Sequence, residues 1–170
     1  DWFKEKYAPN LGFHDLEIVE GGAERADSVL NALARVQSDI DFVAIHDAAR
    51  PLVAKQWIDD IFQAAIKYGA AIPATSISST LKRVAGDSIT ETVPRDNLFA
   101  AQTPQVFRRE LILEAYARRG DFDATDESSL VERLGHSVHV VNGSLMNIKI
   151  TTQEDLKIAE ALLGVLPREK

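Results

Sequence analysis

An aspartate and an arginine follow a short apolar segment in the first third of the chain. Residues 42–45 form an apolar run typical of a buried strand, and Asp47 and Arg50 come shortly after it. Ligands of open α/β sheets bind outside the carboxyl ends of the strands, and the arginine fork suits a phosphate. Asp47 could hold a metal ion, accept a hydrogen bond from a hydroxyl group, or orient Arg50. An ion pair that only fixes the turn before Pro51 is an equal alternative.

Further polar residues stand at predicted strand ends or helix starts. They are Gly22, Thr103, Thr125 and Lys149. Because the carboxyl ends of parallel strands gather on one side of a sheet, we expect these residues to join Asp47 and Arg50 in one phosphate-binding site.

Two of these residues have an alternative explanation. Thr125 is also a good N-cap for the helix that follows it. Lys149 lies between Ile148 and Ile150 on a predicted short strand, so it points away from both, either into solvent or towards an anion.

Composition restricts the class of protein. The chain has 170 residues, no cysteine and a net charge of −7, which suits one domain and argues against non-specific nucleic-acid binding. No apolar run is long enough to cross a membrane and no signal peptide is evident, so we expect a cytoplasmic protein, or a plastid protein in a plant or alga. The α/β-hydrolase elbow and the P-loop are absent from the sequence, and its 4 histidines lack metal-ligand spacing.

Strand and helix patterns alternate along the chain. This alternation predicts a parallel sheet with right-handed crossovers. The predicted strands cover residues 15–19, 42–45, 70–75, 137–141 and 147–151, and the predicted helices cover 24–36, 57–68 and 109–118 and end at Leu134 and Leu163.

Two segments depart from this alternation. Residues 80–84 and 88–93 predict a hairpin that is too polar for a central sheet. A lone hairpin is marginally stable, so we expect a dimer arm, with a surface hairpin packed on its own domain as the alternative. Residues 99–107 predict a strand that bends at Pro104 and presents Thr103 and Gln105.

Several motifs together carry a family resemblance. In order, they are residues 21–29, 46–51, 102–107, 125–127 and 147–151. They closely resemble the 2-C-methyl-D-erythritol 4-phosphate cytidylyltransferase family of the non-mevalonate isoprenoid pathway, and they cover nearly the whole chain. The resemblance implies a Rossmann-like α/β nucleotidyltransferase sheet with helices on both faces. It also implies one domain over residues 1–170 and a homodimer joined through an arm hairpin at about 78–95.

The resemblance also implies a reaction and a set of site residues. The phosphate of methylerythritol phosphate attacks the α-phosphorus of CTP in the presence of Mg²⁺, and pyrophosphate leaves. The cytidine part would contact Gly22, Ser28 and Ala48. The sugar-phosphate site would be lined by Asp47, Arg50, Thr103, Thr125 and Lys149. Thr80 and Arg95 would reach the neighbouring subunit's site, and Arg95 and Lys149 would position the attacking phosphate.

One departure from the family leaves alternatives open. Nothing before Asp15 matches the family's Gly-rich loop that grips the triphosphate, so we expect an N-terminally truncated member whose 170 residues alone have little activity. A ribitol 5-phosphate cytidylyltransferase is the nearest alternative, although Ala49 and Glu127 favour methylerythritol phosphate. An inactive dimeric binding module is the other, and CTP binding by the isolated chain would distinguish it.

Overall fold

The structure, a computed structural model, describes residues 2, 5–7 and 16–167. Between residues 16 and 167 the chain forms five helices and seven strands. The helices are α1 (Arg25–Leu33), α2 (Lys55–Tyr68), α3 (Arg109–Ala117), α4 (Glu127–Arg133) and α5 (Gln153–Leu162). The strands are β1 (Phe42–Ile45), β2 (Ala70–Ser76), β3 (Leu81–Ala85), β4 (Ser88–Val93), β5 (Phe99–Ala101), β6 (Gln105–Arg108) and β7 (His139–Asn142).

The central sheet is mixed rather than purely parallel. Its strands follow the order β1-β6-β2-β5, and β7 pairs with β2. β7 runs parallel to β2, whereas β6 is antiparallel to both β1 and β2. The prediction of a purely parallel sheet is therefore wrong, because the chain returns from the hairpin directly into β5 and β6 without a crossover helix. The ends of β1, β2 and β7 still point towards one edge of the sheet.

β5 and β6 are two halves of one interrupted strand. Ala101 pairs with Ala74, and Val106 pairs with Ala71, so the register shifts by two residues between them. The shift occurs at residues 102–104, which include the cis peptide bond between Thr103 and Pro104. The predicted bend at Pro104 is confirmed, and it lies at the edge of the sheet where β1 ends.

Helices cover both faces of the sheet. In β6, Phe107 packs into a cluster with Ile112 and Leu130 on the side of α3 and α4, whereas Val106 packs with Ile61 of α2. Neighbouring strand residues point to opposite faces, so β6 contributes to both layers of the core. The predicted layered α/β architecture is confirmed, and it makes β6 a central strand buried on both sides.

The helix ends follow the expected chemistry with small shifts. The sequence predicts that Gly69 stops the helix over residues 57–68, and in the structure α2 ends there, with a left-handed φ of 87° at Gly69. Asp126, not Thr125, caps α4 by accepting a hydrogen bond from the Ser129 N–H, so the predicted N-cap is one residue early.

The sequence predicts a capping box of Thr151 with Glu154 before α5, and the structure forms it one residue later. Thr152 and Asp155 form the capping box, instead of Thr151 and Glu154. Thr151 still donates its hydroxyl to Asp155, with 2.9 Å between the oxygens. Either threonine satisfies the sequence rule, so the rule alone does not fix the register.

Two predicted strands are not formed. Asp15 lies outside the described residues, and residues 16–20 are assigned no strand, because a strand needs a partner and none of the described strands pairs with them. Residues 147–151 also form no strand. The backbone N–H of Ile150 instead donates to the carbonyl of Ala49 over 2.8 Å, which holds this segment against the turn after β1.

The predicted hairpin is present. β3 and β4 form a separate two-stranded antiparallel sheet with Leu81 opposite Val93, and Gly86 in its turn has φ 57°. Val84 and Ile89 on its strands are 56% and 64% exposed. The use of this hairpin as a dimer arm stays a prediction.

Among the described residues, no helix is long and apolar enough to span a membrane.

Candidate functional site

The turn after β1 is held by the bend between β5 and β6. The Thr103 hydroxyl accepts a hydrogen bond from the Asp47 backbone N–H over 3.0 Å and lies 3.0 Å from His46 Nδ1. His46 Nε2 lies 2.9 Å from the Arg50 carbonyl oxygen. A carbonyl oxygen can only accept, so Nε2 donates to it, and a neutral ring would then accept the proton of the threonine hydroxyl at Nδ1. From the sequence, His46 is as likely a packed strand-end residue as a catalytic one, and in the structure its ring joins the Thr103 hydroxyl to the Arg50 carbonyl.

Three cations surround the carboxylate of Asp47. Lys149 Nζ lies 3.0 Å from Oδ2, Arg25 Nη2 lies 3.2 Å from Oδ1, and Arg50 Nε lies 3.8 Å from Oδ2. The Asp47 side chain is only 13% exposed, whereas Lys149 is 44% exposed. The structure therefore brings Asp47, Arg50, Thr103 and Lys149 together, as the sequence predicted, and adds Arg25.

The electrostatics keep Asp47 ionised. Burial raises its pKa, but the hydrogen bond and charge of Lys149, together with Arg25, outweigh this and hold the pKa below its ordinary value. Burial lowers the pKa of Arg50, and the attraction of Asp47 opposes this only in part. An arginine stays charged through such a shift, so the cluster carries more positive than negative charge and suits an anion.

Arg25 also binds a second, buried carboxylate. Its Nη1 lies 2.7 Å from Glu127 Oε1 and its Nη2 lies 3.0 Å from Oε2, which is the bidentate geometry of a strong arginine–carboxylate pair. Glu127 is 1% exposed, and the Tyr116 hydroxyl donates to its Oε1 over 3.0 Å. The sequence places Glu127 favourably at the positive end of a helix, the resemblance counts it in favour of methylerythritol phosphate, and neither gives Arg25 a separate role.

The segment that carries Lys149 is tied to the same turn. Arg50 Nη1 donates to the carbonyl of Asn147 over 2.6 Å, and Asn147 Nδ2 donates to the carbonyl of Thr103 over 2.8 Å. Gln102 Nε2 donates to the carbonyl of Ser144 over 2.8 Å. Asn147 and Gln102 are buried amides that sequence reasoning did not single out, although both stand inside the quoted motifs. Arg50 therefore ties the turn after β1 to the segment that carries Lys149.

The glycine pair before α1 lets its backbone lie close to side chains of α1. A Cβ on Gly22 would lie 2.2 Å from Asp27 Cβ, so a larger residue cannot fit without movement. The Gly22 N–H donates to the Ser28 hydroxyl over 2.9 Å, and that hydroxyl donates to the Glu24 carbonyl over 3.2 Å. Both predicted residues thus lie together at the start of α1.

A cavity of about 550 Å³ lies between α1 and β1. Its polar lining consists of Arg25, Ser28, His46, Asp47 and Lys149. The rest is apolar and comes mainly from α1 and β1, with Ala48 in the turn after β1. Two residues predicted to contact the nucleotide and two predicted to contact the sugar phosphate therefore line one cavity.

Three predicted residues have no described contact with Asp47. Within residues 16–167, none of the described hydrogen bonds or ion pairs joins Thr80, Thr125 or Arg95 to Asp47. Thr80 and Thr125 are exposed, and Arg95 donates to the backbone carbonyl of Ser78 beside the hairpin. Their roles in the site stay predictions.

The side chains that the structure describes do not form a metal site of their own. Among the described residues, no three side chains of His, Cys, Asp or Glu come together in a group that could hold a metal ion. Asp47 is the residue that the sequence suggested as a ligand, and both of its oxygens already face cations. Mg²⁺ prefers carboxylate oxygens and substrate phosphates, so a metal would have to come with the substrate's own oxygens.

Comparisons with known proteins agree on one family. Residues 4–165 match the family described as IspD: 2-C-methyl-D-erythritol 4-phosphate cytidylyltransferase. A protein of that name from Bacillus cereus is 49% identical over 152 residues, covering 88% of this chain and 67% of the relative. One from Clostridioides difficile is 41% identical over 172 residues, covering 100% of this chain and 73% of the relative. This chain thus spans about two thirds to three quarters of their length.

Solved structures give the same result. The crystal structure of 2-C-methyl-D-erythritol 4-phosphate cytidylyltransferase from Thermus thermophilus matches with a TM-score of 0.79 and 39% identity, over 85% of this chain and 71% of that one. The crystal structure of 4-diphosphocytidyl-2C-methyl-D-erythritol synthase from Anaerococcus prevotii matches with a TM-score of 0.85 and 31% identity, over 96% of this chain and 75% of that one.

Proposed function

The chain belongs to the 2-C-methyl-D-erythritol 4-phosphate cytidylyltransferase family, and we propose that it transfers the cytidylyl group of CTP to 2-C-methyl-D-erythritol 4-phosphate and releases pyrophosphate. The observation that carries this proposal is the cluster of three cations around the ionised Asp47, of which Arg25 and Lys149 line one cavity together with Asp47. Such a cluster suits the meeting of two phosphate groups.

The reaction requires positioning and charge neutralisation. An oxygen of the sugar phosphate forms a bond to the α-phosphorus of CTP, and the bond from that phosphorus to the bridging oxygen of pyrophosphate breaks. Both partners are anions, so the protein must bring them into line and reduce their repulsion. No covalent intermediate with the protein is needed, which agrees with the lack of an activated nucleophile in the proposed site.

Lys149 is the proposed contact to the attacking phosphate. Its side chain is 44% exposed and 3.0 Å from Asp47, so a small rotation would carry Nζ from the carboxylate to an incoming phosphate. Asp47 would then accept hydrogen bonds from hydroxyl groups of the sugar. Arg50 is 13% exposed and donates to the Asn147 carbonyl, so its contribution is the positive field and the fixed turn.

The cytidine part is proposed to lie at the start of α1. The Gly22 N–H is held by the Ser28 hydroxyl, and Ser28 and Ala48 line the cavity. These contacts would place the α-phosphorus near Asp47 and Lys149. Mg²⁺ is proposed to enter as the magnesium complex of CTP, because the described side chains offer no separate site for it.

The remaining predicted residues are proposed to act across a homodimer. Thr80 and Arg95 flank the hairpin, whose Val84 and Ile89 are exposed and could be buried against a second copy. The neighbouring subunit would thereby add Arg95 to the phosphate site, giving two cations on the attacking phosphate together with Lys149. Thr103 and Thr125 complete the proposed sugar-phosphate site from the strand bend and from the start of α4.

The first experiment is a pyrophosphate-release assay. CTP, Mg²⁺ and methylerythritol phosphate are supplied, with ribitol 5-phosphate in parallel, to these 170 residues and to the complete product of the gene. We expect release with methylerythritol phosphate from the complete product. Release only with ribitol 5-phosphate would reassign the substrate. If both proteins bind CTP but release no pyrophosphate with either sugar, the chain is a binding module rather than the proposed enzyme.

A further inference from the structure

We propose that Glu127 and Arg25 are positioning residues that hold the Asp47 carboxylate in the place the proposed reaction needs. The three side chains form a continuous chain of contacts from the start of α4, through α1, to the turn after β1. This inference rests on the proposed function for its kinetic readout, and it has a separate structural readout.

The geometry makes Arg25 a bridge between two carboxylates. Its Nη1 and Nη2 engage both oxygens of Glu127, while its Nε and Nη2 lie 3.3 Å and 3.2 Å from Asp47 Oδ1. The rigid guanidinium plane cannot turn towards one carboxylate without changing its angle to the other. The orientation of Arg25 is therefore fixed by Glu127 and passed on to Asp47.

Burial makes Glu127 the fixed end of this bridge. It is 1% exposed and receives the Tyr116 hydroxyl, so neighbouring side chains hold its position. Asp47 is the end that faces the cavity, and its other oxygen faces Lys149. The hydrogen bond to Glu127 also raises the pKa of Arg25 above its ordinary value, which keeps the bridge charged.

The consequence for the reaction concerns one substrate more than the other. Arg25 takes one oxygen of Asp47, which leaves the second for Lys149 and for the sugar hydroxyls. If the bridge is broken, Asp47 can rotate and no longer holds its carboxylate in place for the proposed sugar-phosphate contacts. The backbone at Gly22 and the proposed cytidine contacts should be unchanged.

The test compares Glu127→Gln with a matched control. The amide has one acceptor oxygen and an NH₂ group that faces an Arg25 donor, so the bidentate pair is lost without a change of size. Arg119→Gln removes a different ion pair, in which Arg119 Nη2 lies 2.6 Å from Asp27 Oδ1. This pair ties α1 to the segment after α3 and has no described contact with Asp47. Both variants are made in the complete product of the gene.

The bridge predicts a split between the two Michaelis constants. We expect Glu127→Gln to raise KM for methylerythritol phosphate about tenfold, as for the loss of one charged hydrogen bond, with KM for CTP changed less than about twofold. Arg119→Gln should change neither. Equal effects on both substrates, or an equal effect of Arg119→Gln, would show general loosening of α1 and overturn the proposal.

A double variant sharpens the kinetic test. Lysine cannot form the bidentate pair with Glu127, so Arg25→Lys should also raise KM for methylerythritol phosphate much more than KM for CTP, as in Glu127→Gln. If the two residues act as one bridge, the double variant should be no worse than either single variant. Additive effects would mean that Glu127 does not act through Arg25.

The structural readout does not depend on activity. The Arg25 Nε–H donates to Asp47, so its NMR signal should be protected from exchange with water in the parent protein and in Arg119→Gln. The protection should be lost in Glu127→Gln. If the parent protein releases no pyrophosphate, the proposed function fails, but this NMR measurement still tests the bridge. Protection of the Arg25 Nε–H that persists in Glu127→Gln would overturn the bridge.

Discussion

Replacement of Arg25 by leucine should leave a buried carboxylate without its cation. Glu127 is 1% exposed, and after the change only the Tyr116 hydroxyl would remain of its described hydrogen bonds. Removal of one member of a buried ion pair costs about 3–5 kcal/mol. Arg25 itself is 36% exposed, so water can approach from the vacated side, and we take the lower limit of about 3 kcal/mol.

This loss is large enough to measure directly. In a domain of this size, each kcal/mol lowers the melting temperature by about 2–4 °C, so we expect a fall of about 6–12 °C. Urea denaturation should give the same free energy with an unchanged slope, because the surface exposed on unfolding is similar. Arg118→Leu is the matched control. Its pair with Glu114 is exposed, so its loss should change stability by less than about 1 kcal/mol.

The double variant Arg25→Leu with Glu127→Leu separates stability from function. A well-packed apolar pair often replaces a buried ion pair at little cost, so most of the lost stability should return. The kinetic defect with methylerythritol phosphate should remain, because neither leucine can orient Asp47. A single variant that costs less than about 1 kcal/mol, or a double variant no more stable than the single one, would refute the view that Glu127 depends on Arg25.

Further predictions concern catalysis, the dimer, the core and pH. Lys149→Ala should raise KM for methylerythritol phosphate about tenfold more than KM for CTP, and equal losses would contradict its role. If each site combines Asp47 of one subunit with Arg95 of the other, an equal mixture of Arg95→Ala and Asp47→Ala subunits should recover about a quarter of the parent pyrophosphate release, because half of the dimers would contain one intact site out of two. No recovery would exclude shared sites. Phe107→Ala should cost about 3–5 kcal/mol in urea denaturation, because the ring is fully buried between β6 and the helices. Hydrogen bonds from Thr151 and Thr152 lower the pKa of Asp155 to about 2. The ionised Asp155 therefore stabilises the protein fully above the unfolded pKa of about 4, and this stabilisation is lost as the pH falls through about 2. The difference in melting temperature between the parent protein and Asp155→Asn should disappear at that pH.

Local patterns predicted the elements better than their pairing. β1 has the predicted bounds, and α2 ends at Gly69 as predicted, because an apolar run and a left-handed glycine are local signals. The direction of β6 was wrong because it depends on how the chain leaves the hairpin, which no local pattern records. Residues 16–20 have a strand-like alternation yet are assigned no strand, since a strand also requires a neighbour.

The residues that enter the candidate site directly from strand ends could be predicted, and those that support them could not. Asp47 stands shortly after β1 and Thr103 in a bend marked by proline, so each had a signal within a few residues of itself. Glu127 had a sufficient local explanation at the helix start, and that explanation concealed its contact with Arg25, which lies 102 residues away in sequence. A favourable local role does not exclude a distant one. The buried charge identifies the second role, because a carboxylate that only complements a helix end gains nothing from being 1% exposed and bound by an arginine fork.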